Sequence, residues 1–210
     1  LLAVLAFLLA VLLALGISIL ATLDRFAWIR TIFNSLPPLF ISLPSFWLGI
    51  MLIQVVSFRL GWVPVIGAST AQGLILPTIT LSIPIAAPLA QVLIRSIEEV
   101  KNQPFVAAVR ARGASEMWIF FRNIMRNALL PTLTMAGILF GELVGGAVVT
   151  ETVFGRAGIG AMTVNAVANR DTPVMLAIVV IAAAIYVLIN LIVDLLYPVL
   201  DARLRRRERA

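Results

Sequence analysis

The sequence predicts an all-α membrane protein, and three observations carry that prediction. Of its 210 residues, 61% are hydrophobic and only 12% charged, where a soluble domain has about a quarter charged. Mean hydropathy is +1.07, so lipid rather than water must be the solvent for most of the chain. The second observation is the length of the uncharged runs, which cover 1–23, 31–58, 60–94, 127–141 and 172–193. A helix needs about 20 apolar residues to cross about 30 Å of hydrocarbon. Five spans follow, at about 1–22, 34–57, 74–94, 128–150 and 173–197. The run 60–94 is too long for one helix, and Gly61, Pro64, Gly67 and Gly73 assign its first half to a loop.

The third observation is the sidedness of charge. Arg25 and Arg30 lie in the first loop, six basic residues in 95–127, and Arg203, Arg205, Arg206, Arg207 and Arg209 in the tail. Alternating spans place these thirteen on one side and Arg59, Arg156 and Arg170 on the other. That asymmetry makes the 95–127 loop and the C-terminus cytoplasmic. Residue 1 then faces outward, which leads us to expect a sixth helix upstream of a single membrane domain, 1–210, that is truncated at its N-terminus. The net charge of +6 and pI near 11.2 reflect topology and anionic lipid rather than nucleic acid. The chain has no cysteine and no histidine, which removes disulfides, thiolate chemistry and the commonest metal ligand. No catalytic residue and no metal site are expected.

Span one is Leu- and Ala-rich, a packing or lipid-facing helix. Span two carries Pro37 and Pro38, expected at the bend into the membrane, and Pro44, expected as a kink within it. Trp62 in the following loop suits the membrane–water boundary. Span three holds Pro77, Pro84 and Pro88, which predict a bent or locally unwound path. Ser82 and Gln91 add polarity and are candidates for a solute path.

The interval 95–131 is the longest polar stretch. Residues 95–101 continue span three beyond the membrane, and Asn102, Gln103 and Pro104 end the helix. Pro104 can open a new short helix, FVAAVRAR, with small residues Ala107, Ala108 and Ala111, which Gly113 stops. Ser115 caps the next helix, with Glu116 in its first turn. That helix, MWIFFRNIMRN, is expected to lie along the inner surface until Pro131 starts span four. Helix, glycine turn, helix is the layout of a peg shown to a partner.

Span four contains Gly137, Gly141 and Gly145, a doubled small-xxx-small pattern that permits close helix contact. Glu142 is the one carboxylate well inside a span, and such a group faces a cavity, pairs with a partner or sits protonated. The outer segment 151–172 turns at Gly155, Gly158 and Gly160 and then forms a short helix to about Asn169. No strand precedes these glycines, so they are not a nucleotide fingerprint. Span five opens at Pro173, with Asn190 and Asp194 near its inner end.

The motifs VRARG-ASE-x-x-IFFRN-x-x-RNALLPTLT, GGAVVTETVF, GxGxMxVNAVxxRDTPV and LINLIVDLLYPVLDARLR resemble the permease subunits of bacterial ABC importers for dipeptides, oligopeptides, nickel and related solutes. ISLPSFWLGIMLI and LGWVPVIG are similar to the same family. The resemblance implies a type I importer permease fold in the bacterial inner membrane. It assigns coupling to an ATPase to Phe105, Val106, Ala107, Ala108, Val109, Arg110, Ala111, Arg112, Gly113, Ala114 and Ser115. The Glu-Ala-Ala of the general importer motif stands here as Ala107-Ala108-Val109, and the proline usual in the 156–158 turn is Ala157. The implied partners are a second related permease subunit, two ATPase subunits that bind ATP and magnesium, and an extracytoplasmic solute-binding protein. The chain itself would hold no cofactor. Gly137, Gly141 and Gly145 would lie at the second subunit or pack within this chain, and the solute path would run near spans two to five, with Glu142 and the outer segment 151–170 as candidates. Di- or oligopeptides are the implied cargo, with nickel chelates, glutathione or sugar-like solutes as alternatives. Two other readings, a membrane-embedded hydrolase and a proton-coupled carrier or channel working through Glu142, lack respectively a nucleophile–base pair and a use for a basic peg.

Overall fold

The computed structural model describes residues 1–23, 27–65, 69 and 71–200, except for the side chains of 144–146, 193, 194 and 196–200. Gly145, Asp194 and the arginine-rich tail therefore lie outside the described side chains. Among the described residues the elements are helical throughout: α1 Leu2–Ala21, α2 Ala27–Ile41, α3 Ser45–Leu52, α4 Gln72–Lys101, α5 Pro104–Ala111, α6 Glu116–Ile119, α7 Met125–Val153, α8 Ile159–Ala168 and α9 Thr172–Leu200.

α4 is the axis of the bundle. α1 lies parallel to it along a ridge of small side chains, with Ala6, Ala10, Ala14 and Ala21 buried against Leu81, Ile85, Ala86, Leu89, Ala90 and Ile94. Small residues at 6, 10, 14, 18 and 21 leave no long side chain to hold the backbones apart, so dispersion contacts replace the hydrophobic drive that lipid cannot supply. Polar contacts fix the register. The Ser18 hydroxyl donates to the Ala90 carbonyl at 3.2 Å, and the Lys101 ammonium donates to the Thr22 carbonyl at the end of α1, at 2.6 Å. α7 packs on α4 from another side through Leu139, Leu143 and Ala147. α9 lies along α7, where a Cβ on Gly141 would run into the Tyr186 ring. α9 is otherwise exposed along most of its length.

The structure corrects the expected effect of the prolines. Pro37 and Pro38 sit inside α2, and the chain breaks later, at Ser42–Pro44, where α2 and the helix Ser45–Arg59 meet with a 106° bend. Pro44 is extended (ψ 133°) and caps α3, while the residue before a proline is itself kept out of the helical region. Span two is thus a broken pair, and its first helix begins at 27 rather than 34. α4, by contrast, is neither interrupted nor unwound over 30 residues despite Pro77, Pro84 and Pro88. One of the carbonyls so freed, Gly73 O, accepts from a side chain outside the helix, that of Arg156, the kind of substitution membrane helices require. Pro131 does not start span four. It lies within α7, and α6 runs into α7 through a π-helical turn, Phe120–Ile124, so 116–143 is one continuous rod rather than a surface helix followed by a span. Four described helices are long and apolar enough to cross a membrane, and the bent pair makes a fifth.

At the end of the bundle holding the start of α4, α7 closes with glycine geometry. Gly155 has φ +60°, its N–H bonds to Thr152 O at 3.2 Å, and the Arg156 N–H bonds to Glu151 O at 2.8 Å. These two bonds satisfy the last carbonyls of α7. The Glu151 carboxylate accepts from the N–H groups of Gly160 (2.7 Å) and Ala161 (3.3 Å) at the start of α8. A negative group there also complements the helix dipole. Arg156 Nη1 donates to the Gly73 carbonyl in the first turn of α4, at 2.7 Å.

Two glycines should answer oppositely to alanine. A Cβ on Gly160 would run into the Val148 backbone, whereas one on Gly16 meets nothing within 4 Å. Gly160→Ala is expected to cost about 1–3 kcal/mol through overpacking. Gly16→Ala is expected to gain up to about 1 kcal/mol from helix propensity. Thermal unfolding of the detergent-solubilised protein compares them.

Candidate functional site

At the opposite end of the bundle, α5 projects from the tip of α4. The local sequence dictates how. Gln103 is extended (ψ 143°) and Pro104 occupies the first helical turn, where its missing N–H removes no bond and its fixed φ suits a helix. Nine residues on, Gly113 takes φ +83° and its N–H bonds to Arg110 O at 3.0 Å, which ends the helix. Ser115 then accepts from the Trp118 N–H and caps α6.

A helix this short is marginal alone, so packing must hold it. Val106 is 1% exposed and sits in a cluster with Leu93, Ile97 and Val100 of α4, Ile119, and Ile124, Met125 and Ala128. Phe105, Val109 and Ala114 flank it, half-buried. The opposite face, Pro104, Ala107, Ala108 and Ala111, is exposed, as are Arg110, Arg112, Gly113 and Ser115. Residues 104, 107, 108 and 111 share one helical face, so a partner can approach the α5 backbone closely with no long side chain in the way.

Arg110 and Glu116 clasp the two limbs of the peg. Arg110 Nη2 donates to Glu116 Oε2 at 2.9 Å, and Nε donates to Oε1. That hydrogen-bonded guanidinium holds the Glu116 carboxyl below its usual range. The pair is solvent-exposed and orders the turn more than it stabilises the fold. Its contribution is present above the ordinary carboxylate pKa and is lost as pH falls through the lowered value.

The candidate solute-path residues are not brought together. Ser82 is fully buried and its hydroxyl donates to Ile79 O at 2.9 Å. Gln91 lies nine residues further along α4, half a turn round, and is exposed. Glu142 is exposed on α7, beside the buried Leu143. None of the three lines either described cavity. Gly137 is buried and lines an apolar cavity between α1, α4, α7 and α9, and Gly141 lies against Tyr186. Among the described residues no cluster of acidic residues could hold a metal ion. Sequence reasoning placed Glu151 and Arg156 only within the outer segment 151–170 and gave neither a partner. The run of glycines after them was the available signal, since Gly158 and Gly160 are where a Cβ would meet Glu151 or α7.

The geometry is that of a multi-span helical bundle carrying one exposed, small-faced helix on its central rod. The comparisons with known proteins name the family. Residues 4–206 match the model of the binding-protein-dependent transport system inner membrane component, and the chain belongs to that family. It is 38% identical over 196 residues to the glutathione transport system permease protein GsiC of Escherichia coli (strain K12) and to that of Salmonella choleraesuis (strain SC-B67). Those matches cover 93% of this chain and 64% of each relative, so the chain spans just under two thirds of their length. Its fold is that of ABC importer membrane subunits. Against an inward-facing structure of the MetNI methionine ABC transporter the TM-score is 0.78 at 20% identity, covering 95% of this chain and 91% of that one. Against an amino acid ABC transporter solved with histidines it is 0.71 at 18% identity, covering 93% and 87%.

Gly113→Ala forces a Cβ into the left-handed region and is expected to cost about 1–2 kcal/mol. Thermal unfolding reads this as a fall of a few degrees, with α1 and α4 packing unchanged by hydrogen exchange.

Proposed function

We propose that this chain is the permease subunit of an ATP-driven importer in the bacterial inner membrane, translocating short peptides by alternating access. One observation carries the reading. α5 presents an exposed alanine face while its other face is anchored through Val106 to the tip of α4. Two ATPase subunits, which bind ATP and magnesium, grip that face from the cytoplasm. A second related permease subunit completes the pathway, and an extracytoplasmic binding protein delivers the cargo. This chain binds no cofactor and performs no hydrolysis. Its C-terminus and the 95–127 loop face the cytoplasm, since the basic residues Arg30, Arg95, Lys101, Arg110, Arg112, Arg122 and Arg126 belong to the α5 end.

The mechanics follow from lengths. α4 has 30 residues, or about 45 Å at 1.5 Å per residue, more than the thickness of the hydrocarbon. Displacing α5 moves Val106 against Leu93, Ile97 and Val100. A close-packed contact cannot absorb the push, so it passes to α4 and to the helices packed on it. Glutathione, one of the alternatives to di- and oligopeptides, is the cargo named for the relatives above.

Ala108→Arg places a long charged side chain in the face α5 presents. Co-purification of the ATPase subunits is expected to fall at least about tenfold, a loss of 1.4 kcal/mol or more, with the membrane subunit's melting temperature unchanged. ATPase subunits retained at the unmodified level would refute the assignment of α5.

A further inference from the structure

The bond between Arg156 and Gly73 has a cause in the sequence of α4. In a helix the carbonyl of residue 73 accepts from the N–H of residue 77, but residue 77 is proline and has none. The Gly73 carbonyl is therefore without its helical partner, and Arg156 Nη1 meets it at 2.7 Å, half-buried, from 83 residues away. Arg156 is itself rigidly held. Its N–H closes the end of α7 on Glu151 O, and the Glu151 side chain binds the first N–H groups of α8. Pro77 is buried and Gly155 left-handed, so neither side of the contact is free to drift. A cavity of about 350 Å³, lined by Ser69, Gln72, Pro77, Phe154 and Arg156, adjoins it. The rival reading is that water from that cavity serves the carbonyl equally well.

We propose that Arg156 is a positioning residue, the outer counterpart of Val106. It fastens the α7–α8 turn to the first turn of α4 through the carbonyl that Pro77 leaves open. Motion entering α4 at its α5 end then reaches α8 at the other end. This transmission rests on the importer reading, whereas the contact itself does not.

Two measurements separate them. In thermal unfolding of the purified complex, Arg156→Gln is expected to lower the midpoint by about 3–6 °C. Arg156→Lys, which keeps a donor, should recover at least half of that. In a Pro77→Ala background, where the new N–H takes the Gly73 carbonyl, Arg156→Gln should cost under about 1 °C. Equal costs in both backgrounds, or no cost in either, overturn the proposal in favour of water. The second measurement uses the chain's lack of cysteine. Spin labels on Ala71→Cys and Val164→Cys report the α4–α8 distance in the complex, in nanodiscs of phosphatidylethanolamine and phosphatidylglycerol. Mg-ATP should shift that distance in the parent and leave it unshifted in Arg156→Gln, which still binds its ATPase subunits. A shift of the same size in Arg156→Gln overturns the transmission role. A parent that does not respond to Mg-ATP overturns the importer reading, and the thermal comparison still decides the contact.

Discussion

In hydrocarbon every backbone N–H and C=O must find its partner within the protein, and this chain tests that constraint hardest in the helix everything else leans on. Pro77, Pro84 and Pro88 remove three donors from α4 and fall close to one helical face, seven and eleven residues apart. At the carbonyl that Pro77 leaves open the surroundings do what the helix's own backbone cannot, since Arg156 reaches Gly73 O from beyond α7. Other side chains add bonds along the rod: Thr80 and Ser82 donate to Leu76 O and Ile79 O, and Ser18 reaches Ala90 O from α1. Pro77 thus ties α4 to a neighbour without breaking it. An unbroken α4 is what allows a contact at one end of the bundle to be felt at the other.

Small residues serve two opposite ends in the same chain. Along α1 the alanines are buried, and their smallness brings two helix backbones together. On α5 the alanines at 107, 108 and 111 are exposed, and their smallness leaves room for something absent from the bundle. What distinguishes the two sets is the company of one larger residue. Val106 fills the cluster at the tip of α4 and so turns the alanine face outward. Glycine shows the same division. Gly113 and Gly155 are present for their backbone angles, and Gly158 and Gly160 for the space next to Glu151 and α7.

The two ends of the bundle are built on different principles, which bears on how they can move. The α5 end is an apolar cluster with an exposed ion pair, Arg110–Glu116, across its turn. Apolar contacts are non-directional, and the polar tie from Lys101 to Thr22 O joins α4 to α1 rather than to α5. The other end is fixed by directional hydrogen bonds, Glu151 to α8 and Arg156 to α4. Such bonds keep their geometry or break, which holds the turn after α7 at a set angle to α4 and α8.

Much of this was written plainly in the amino acids. Uncharged runs marked the spans, because the cost of a charge in lipid leaves a sharp edge in sequence. Pro104, Gly113 and Ser115 marked α5 and its turns, because each enforces a local backbone state whatever surrounds it. Features that depend on a neighbour were not legible. Pro44 breaks its helix while Pro37, Pro38 and Pro131 ride inside theirs, a difference that the prolines themselves do not carry. Ser82 and Gln91 looked alike as polar residues on one helix, yet one is buried and the other exposed on the far side. The pairing of Arg156 with Gly73 spans 83 residues and no local pattern announces it. Composition and local backbone preference thus determined which stretches of the chain are apolar enough to span and where the peg begins and ends. Only the packed bundle decided which breaks are real, which faces are hidden and which distant groups meet, because those outcomes depend on partners that a sequence does not place side by side.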